Sequence, residues 1–199
     1  MDAIAFLKQD HRTVEELFER FEAASEKALK LKRKLVDGMI AALSQHATIE
    51  EEFFYPAVRE AFSKDDEGMV LEALEEHHIV KWTLNELLDL PADAERFDAK
   101  VTVLMESVRH HVKEEEGDLF PKVRKVMSAA DLKMLGAQLV LAKKGAPTRP
   151  HPRSPDSPPG NLVAAPMAAV MDKGRDWLKS IAGRRAGAKA KGRPAEQLH

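Results

Sequence analysis

Two stretches of this chain repeat one another: His46-Ala47-Thr48-Ile49-Glu50-Glu51-Glu52-Phe53-Phe54-Tyr55-Pro56 and His111-Val112-Lys113-Glu114-Glu115-Glu116-Gly117-Asp118-Leu119-Phe120-Pro121. Each sets a His and a Glu four residues apart, about one helical turn, so imidazole and carboxylate project from one face. Two further histidines, His11 and His77, precede the repeats by 35 and 34 residues. Imidazole with carboxylate and no thiolate is a ligand chemistry that suits iron or manganese and permits zinc. The chain has no cysteine, which excludes disulfides, thiolate metal sites and cysteine nucleophiles.

The spacing of apolar residues shows what must carry these groups. Ile4, Leu7, His11, Val14, Phe18 and Phe21 follow one another in steps of three and four, a helical seam interrupted only by the histidine. Val36, Met39, Leu43, His46, Glu50 and Phe53 make a second seam, Val70, Ala73, His77, Val80, Leu84 and Leu87 a third, with Asp65 or Asp66 as its N-cap. Phe97, Val101, Leu104, Val108, His111, Glu115 and Leu119 make the fourth. Short connections between them predict an all-α, up-down-up-down antiparallel four-helix bundle. A short fifth helix is expected from Ser128, whose spacing to Asp131 resembles a capping box, through Leu132, Leu135, Leu139 and Val140.

In an antiparallel hairpin two residues share a height when they are equally far from the turn. The midpoints between successive histidines fall at Ala28 and Leu29, at Ala61 and Phe62, and at Ala94, each close to a turn signal. His11, His46, His77 and His111, one per helix, are therefore expected in one layer, with Glu50 and Glu115 one turn along. Ionised carboxylates inside a bundle cost several kcal/mol or more unless they are neutralised, which a multivalent cation beside four imidazoles would do. Two carboxylates at the centre of such a set are the usual means of bridging two metal ions.

The remaining polar residues near the set are expected to play lesser parts. His78 and His110 each neighbour a member of the set, and one residue turns a side chain about 100° around the axis, so both read as flanking or exposed. His151 and His199 lie far along the chain without partners. Glu51, Glu52, Glu114 and Glu116 read as solvated faces or as supports behind the ligands. Glu15 and Lys81, each four residues past His11 or His77, read as a surface ion pair, with approach of Glu15 to a metal as the alternative. Tyr55, the only tyrosine, is nine residues past His46 and faces away in an unbroken helix, although Pro56 is placed to distort the backbone.

Charge divides the chain. Residues 1–142 hold 19 Lys and Arg against 29 Asp and Glu, net −10, whereas residues 143–199 hold 12 against 4, net +8. Residues 143–161 are Pro-rich and read as a linker. Residues 162–199 read as a mostly disordered basic tail, in which Val163, Met167, Val170, Met171, Trp177, Leu178 and Ile181 would form one face of a short amphipathic helix. Such a tail suits a protein partner or an anionic surface. No aromatic residues interleave its basic ones, so sequence-specific nucleic-acid recognition has no support. Lys8, Asp10, His11 and Arg12 interrupt any apolar run near Met1 and no stretch is long enough to span a bilayer, so the expected location is cytoplasmic.

The pattern His11, His46-x3-Glu50, His77, His111-x3-Glu115, with an aromatic-Pro pair closing each half, resembles the hemerythrin-like HHE cation-binding domain over roughly residues 1–142. The resemblance implies a non-haem di-iron centre inside the bundle, with His11, His46, His77 and His111 as terminal ligands and Glu50 and Glu115 as bridges. Oxygen-carrying hemerythrins have a further His one turn along the third helix, where this chain has Lys81. That departure makes the chain look more like HHE domains associated with oxygen or iron sensing and redox protection, with dioxygen or a related small ligand as partner. An enzyme acting on peroxide or nitric oxide, and an iron-gated interaction module, are the alternatives. The ferritin-like di-iron pattern has a single match, Glu75-x-x-His78, which lies off the seam.

Overall fold

In the computed structural model, described for residues 1–153, helix α1 spans Ala3–Glu22 and α2 spans Leu29–Ile49. A π turn, Glu50–Phe54, carries α2 without a break into α3, Tyr55–Ala61. A 3₁₀ turn, Lys64–Asp66, then leads into α4, Glu67–Leu88. The second half repeats the arrangement: α5, Phe97–Glu114, passes through a π turn, Glu115–Leu119, into α6, Phe120–Val126. The four rods form an all-helical bundle with α7, Ala129–Lys143, as the short fifth helix. The expected amphipathic segment from Val163 to Ile181, like the rest of 154–199, lies outside the described residues.

Each π turn has a local cause. Pro56 and Pro121 occupy the first turn of α3 and α6 and have no N–H to donate. The residue before each proline closes a wider turn instead, Tyr55 N–H donating to the Glu50 carbonyl and Phe120 N–H to that of Glu115. The fifth helix starts as its spacing predicts, with Ser128 Oγ accepting from Asp131 N–H at 3.2 Å. Asp66 stands at the N-cap of α4 but makes no capping bond, because the 3₁₀ turn has already put its backbone in the helical region, φ −97° and ψ −9°. Its carboxylate accepts from Ser63 and Lys122 instead.

Apolar packing falls into two clusters with a polar layer between them. One joins Ile4 and Leu7 of α1 to Phe54, Phe120, Leu135 and Leu139. The other joins Val14 and Phe18 of α1 to Met39, Leu84, Leu104 and Val108. His11 lies between Leu7 and Val14, and His77 between Ala73 and Val80, so the break in each apolar seam is where the histidines stand. Helix α7 closes one end of the bundle against α1. Its Gly136 meets the start of the chain so closely that a Cβ there would lie 2.7 Å from the Asp2 carbonyl carbon and 2.8 Å from the Ala3 nitrogen. No helix among the described residues is long and apolar enough to cross a membrane.

Because the clashing atoms at Gly136 are backbone, Gly136→Ala should force α7 away from α1 and destabilise the protein by about 1–3 kcal/mol. Urea unfolding at neutral pH measures this, and an unchanged midpoint would mean that α7 is not docked as described.

Candidate metal centre

The four histidines are all buried, with 4–6% of their surface exposed, and Glu50 and Glu115 are 0% and 2% exposed. They converge in one layer. The rings of His11 and His46 lie 4.9 Å apart, and those of His77 and His111 4.8 Å apart. Glu50 Oε2 sits between the pairs, 3.1 Å from His46 Nε2 and 3.4 Å from His77 Nε2. Glu115 Oε2 does the same from the other side, 3.4 Å from His11 Nε2 and 3.6 Å from His111 Nε2. Two donor sets result, His11, His46, Glu50 and Glu115, and Glu50, His77 and His111, each with its atoms within 4.8 Å of one another.

A carboxylate stands behind every imidazole. Glu116 lies 2.8 Å from His11 Nδ1, Glu51 3.1 Å from His77 Nδ1, and Glu76 2.7 Å from His111 Nδ1. Asp10 faces His46 Nδ1 at 3.6 Å, an ion-pair distance longer than a hydrogen bond, and is itself held at 2.6 Å by Lys143 of α7. A carboxylate at Nδ1 favours the tautomer with its proton there and turns the bare Nε2 inward. His77 Nε2 and His111 Nε2 then face each other at 3.2 Å, an arrangement that needs a cation or a proton between them.

Orphaned polar atoms sharpen that point. His11 Nε2, His46 Nε2, both oxygens of Glu50 and Glu115 Oε2 are buried without a hydrogen-bond partner. Buried polar groups left unsatisfied are rare and costly. A multivalent cation fits these atoms, since it would accept electron pairs from all of them.

The electrostatics of the protein without a cation reflect the crowding. Burial, then the charges of Glu115 and Asp10, pushes Glu50 well above the carboxylate range. Burial acts on Glu115 in the same direction, but the surrounding imidazoles of His111, His11 and His46 outweigh it and hold its carboxyl below the usual range. Burial lowers His46 to about 4 against the pull of Asp10. Glu52 is 5% exposed, which rules out the solvated face among its two expected places; burial, then the charge of Glu51, pushes its carboxyl up to about 7.

Tyr55 does not face away. Its hydroxyl donates to Glu115 Oε1 at 3.0 Å and lies 3.3 Å from His77 Nε2. The π turn inserts an extra residue into the helical register and swings the side chain inward. Phe120, at the equivalent place of the second repeat, stacks on His11 with ring centroids 5.9 Å apart. Burial and the charge of Glu115 raise the Tyr55 phenol well above its ordinary value, so it keeps its proton at neutral pH.

Glu15 and Lys81 do not pair with each other. Arg109 of α5 takes Glu15 and Glu22 together on the surface of α1. Lys81 is buried and binds Glu51 at 3.0 Å, which fastens the carboxylate behind His77. Sequence reasoning missed Asp10 and Glu76, although a signal existed: an acid directly precedes His11 and His77, and each reaches the histidine of the neighbouring rod. His78 packs on Trp82, and His110 stays outside beside Glu114 and Glu76. A groove of about 230 Å³, lined by Glu72, Glu76, Glu114, Asp118 and Lys122, runs between α4 and the α5–α6 rod down to His111 and Glu115.

The sequence model of the hemerythrin HHE cation-binding domain matches residues 2–123. The chain belongs to that family. An uncharacterised hemerythrin-like protein of Schizosaccharomyces pombe is 27% identical over 171 residues, covering 86% of this chain and 83% of the yeast protein. A protein of Nostoc described as a DNA nickase is 27% identical over 137 residues, 69% of this chain but 38% of its own length. Among solved structures, a hemerythrin HHE cation-binding domain-containing protein from Mycobacterium kansasii matches with a TM-score of 0.62 and 24% identity, covering 73% of this chain and 86% of that one. The hemerythrin fold thus accounts for the bundle, and cation binding for a polar layer between two apolar clusters.

A pH dependence of the metal-free protein follows from Glu50. Its folded pKa lies well above the ordinary glutamate value, so its stabilising contribution is complete below that ordinary value and is lost as pH rises through the folded pKa. Glu50→Gln cannot ionise. Its stability relative to metal-free wild type should therefore rise between about pH 5 and about pH 8 in denaturant unfolding. A constant difference would show that Glu50 is not held in the environment described.

Proposed function

We propose that this hemerythrin-like chain holds a non-haem di-iron centre and uses it to engage dioxygen or a related small ligand, in oxygen or iron sensing or in redox protection. The observation that carries the reading is Glu50, fully buried, with both oxygens unpartnered and its Oε2 set between the His46 and His77 imidazoles. His11, His46, His77 and His111 would be terminal ligands, with Glu50 and Glu115 shared between two ions. Iron is preferred over manganese or zinc by the donor set together with a small-ligand use, since bound iron supplies redox equivalents and an exchangeable coordination position.

This chain's own residues do the rest. Asp10, Glu51, Glu76 and Glu116 orient the imidazoles, and Lys8, Lys81 and Lys143 hold three of those carboxylates in turn. The apolar clusters on either side keep bulk water from the layer. The groove reaching His111 and Glu115 admits only something small. Tyr55 holds a proton beside Glu115 and His77, where an incoming anionic ligand would accept it.

That hydroxyl also favours a second reading, an enzyme acting on peroxide or nitric oxide. On the His77 side of the centre the Tyr55 hydroxyl lies 3.3 Å from His77 Nε2, a proton donor beside the ligand atoms. An exchangeable position with a proton donor beside it is the arrangement that turnover requires.

Anaerobic loading with ferrous iron, followed by metal analysis and optical spectra under oxygen and peroxide, tests the reading. Wild type should retain two irons per chain, and Glu50→Ala and Glu115→Ala fewer. Full stoichiometry in both variants would refute the ligand assignment, and retention of manganese or zinc in place of iron would refute the metal. A reversible oxygen-dependent band without turnover supports binding, whereas sustained peroxide consumption supports the enzyme. Tyr55→Phe copies Phe120 of the other half, so it should keep two irons while slowing reaction with peroxide about tenfold or more. An unchanged rate would remove Tyr55 from the chemistry.

A further inference from the structure

Outside the buried layer, α4 and α5 bring together a second group of donors. His110 Nε2 lies 3.2 Å from Glu114 Oε1, one turn along α5, and 3.7 Å from Glu76 Oε1 across the helix pair. Each side chain has one ligand atom within 4.8 Å of the others. The side chains are graded in exposure, His110 64%, Glu114 42% and Glu76 21%. Imidazole with two carboxylates is again a ligand set for a divalent cation, here weakly held because it is solvated.

Two further observations place this group on a path. Glu76 and Glu114 line the groove that ends at His111 and Glu115, which are 5% and 2% exposed. Glu76 also serves both sides: its Oε2 bonds His111 Nδ1 at 2.7 Å while its Oε1 faces His110. The charged groups of the groove are mainly acidic, Glu72 and Asp118 standing beside the apolar Met69, Ala73 and Leu119 on its walls, and its Lys122 is tied to Asp66 at 3.1 Å. Field lines of one sign focused in a cleft concentrate counter-ions there and speed their arrival.

We propose that Glu76, His110 and Glu114 form an outer cation site, at which a divalent metal ion is captured before it passes along the groove to the buried centre. The inference rests on the di-metal reading of that centre and adds its route of loading. A captured ion exchanges water for one imidazole and two carboxylates and gives them up again when the buried donors take it. No electron transfer is involved. Weak binding is a requirement of the role, since an ion held too tightly outside would not move in.

The test uses Co²⁺, whose visible bands follow its coordination, added to full-length metal-free protein. Equilibrium dialysis should find two tightly bound ions and a third, weaker one. The double variant His110→Ala, Glu114→Gln should lose the third ion, keep the first two, and load them about tenfold more slowly at low salt. Asp93→Asn, which removes an exposed charge from the α4–α5 connection, should load like wild type. A third ion that persists in the double variant, no third ion in wild type, or an unchanged loading rate would each overturn the outer site. Slowing by Asp93→Asn to the same degree would also overturn it, by showing that net charge alone sets the rate. Wild type that fails to take the first two ions would instead sink the di-metal reading, and the outer site with it.

Discussion

Two carboxylates, Glu50 and Glu115, stand at the centre of a helical bundle whose other interior positions are mostly apolar. Taking an ion out of water costs on the order of several kcal/mol even after the protein relaxes. The neighbouring structure can be understood as a response to that cost. Four imidazoles surround the pair, four further carboxylates orient the imidazoles, and three lysines, Lys8, Lys81 and Lys143, hold carboxylates of that outer ring. What the protein alone leaves unmet at the centre, the unpartnered His11 Nε2, His46 Nε2, both oxygens of Glu50 and Glu115 Oε2, is what cation binding would complete. The two apolar clusters supply the stability that tolerates such a layer.

Duplication explains how so many groups find their partners. Asp10 corresponds to Glu76, His11 to His77, His46 to His111, Glu50 to Glu115, and Glu51 to Glu116, and each carboxylate–imidazole contact among these residues in one half has its counterpart in the other. The two π turns preserve this register because each repeat carries a proline just after the turn. The halves differ where function would need them to: Tyr55 places a hydroxyl beside His77, and Phe120 places only a ring beside His11. One side of the centre is therefore closed by apolar surface and the other carries a proton and a groove to solvent.

The bundle, its fifth helix and the family were legible in the sequence because they depend on local regularities: steps of three and four, the Ser128 cap, and a repeated His-x3-Glu. The convergence of the six central residues was legible for the same reason, since hairpin symmetry fixes their heights. Register changes were not. Tyr55 was expected on the far face because an ideal helix turns it there, and the consequence of Pro56 for the backbone needed three dimensions. Asp10 and Glu76 went unread because a residue adjacent to a ligand points away from its own helix's site, and each acts on the neighbouring rod. Lys81 lost its expected partner for a related reason, Glu51 lying closer across the interior than Glu15 along the surface.

The claim that most of the account depends on is that Glu50 is shared between two cations. Anomalous diffraction at the iron edge from crystals of the iron-loaded protein tests it directly. The account predicts two peaks, one beside His11 and His46 and the other beside His77 and His111, with a carboxylate oxygen of Glu50 coordinating each. A single peak, or two peaks with Glu50 bound to neither, would contradict it.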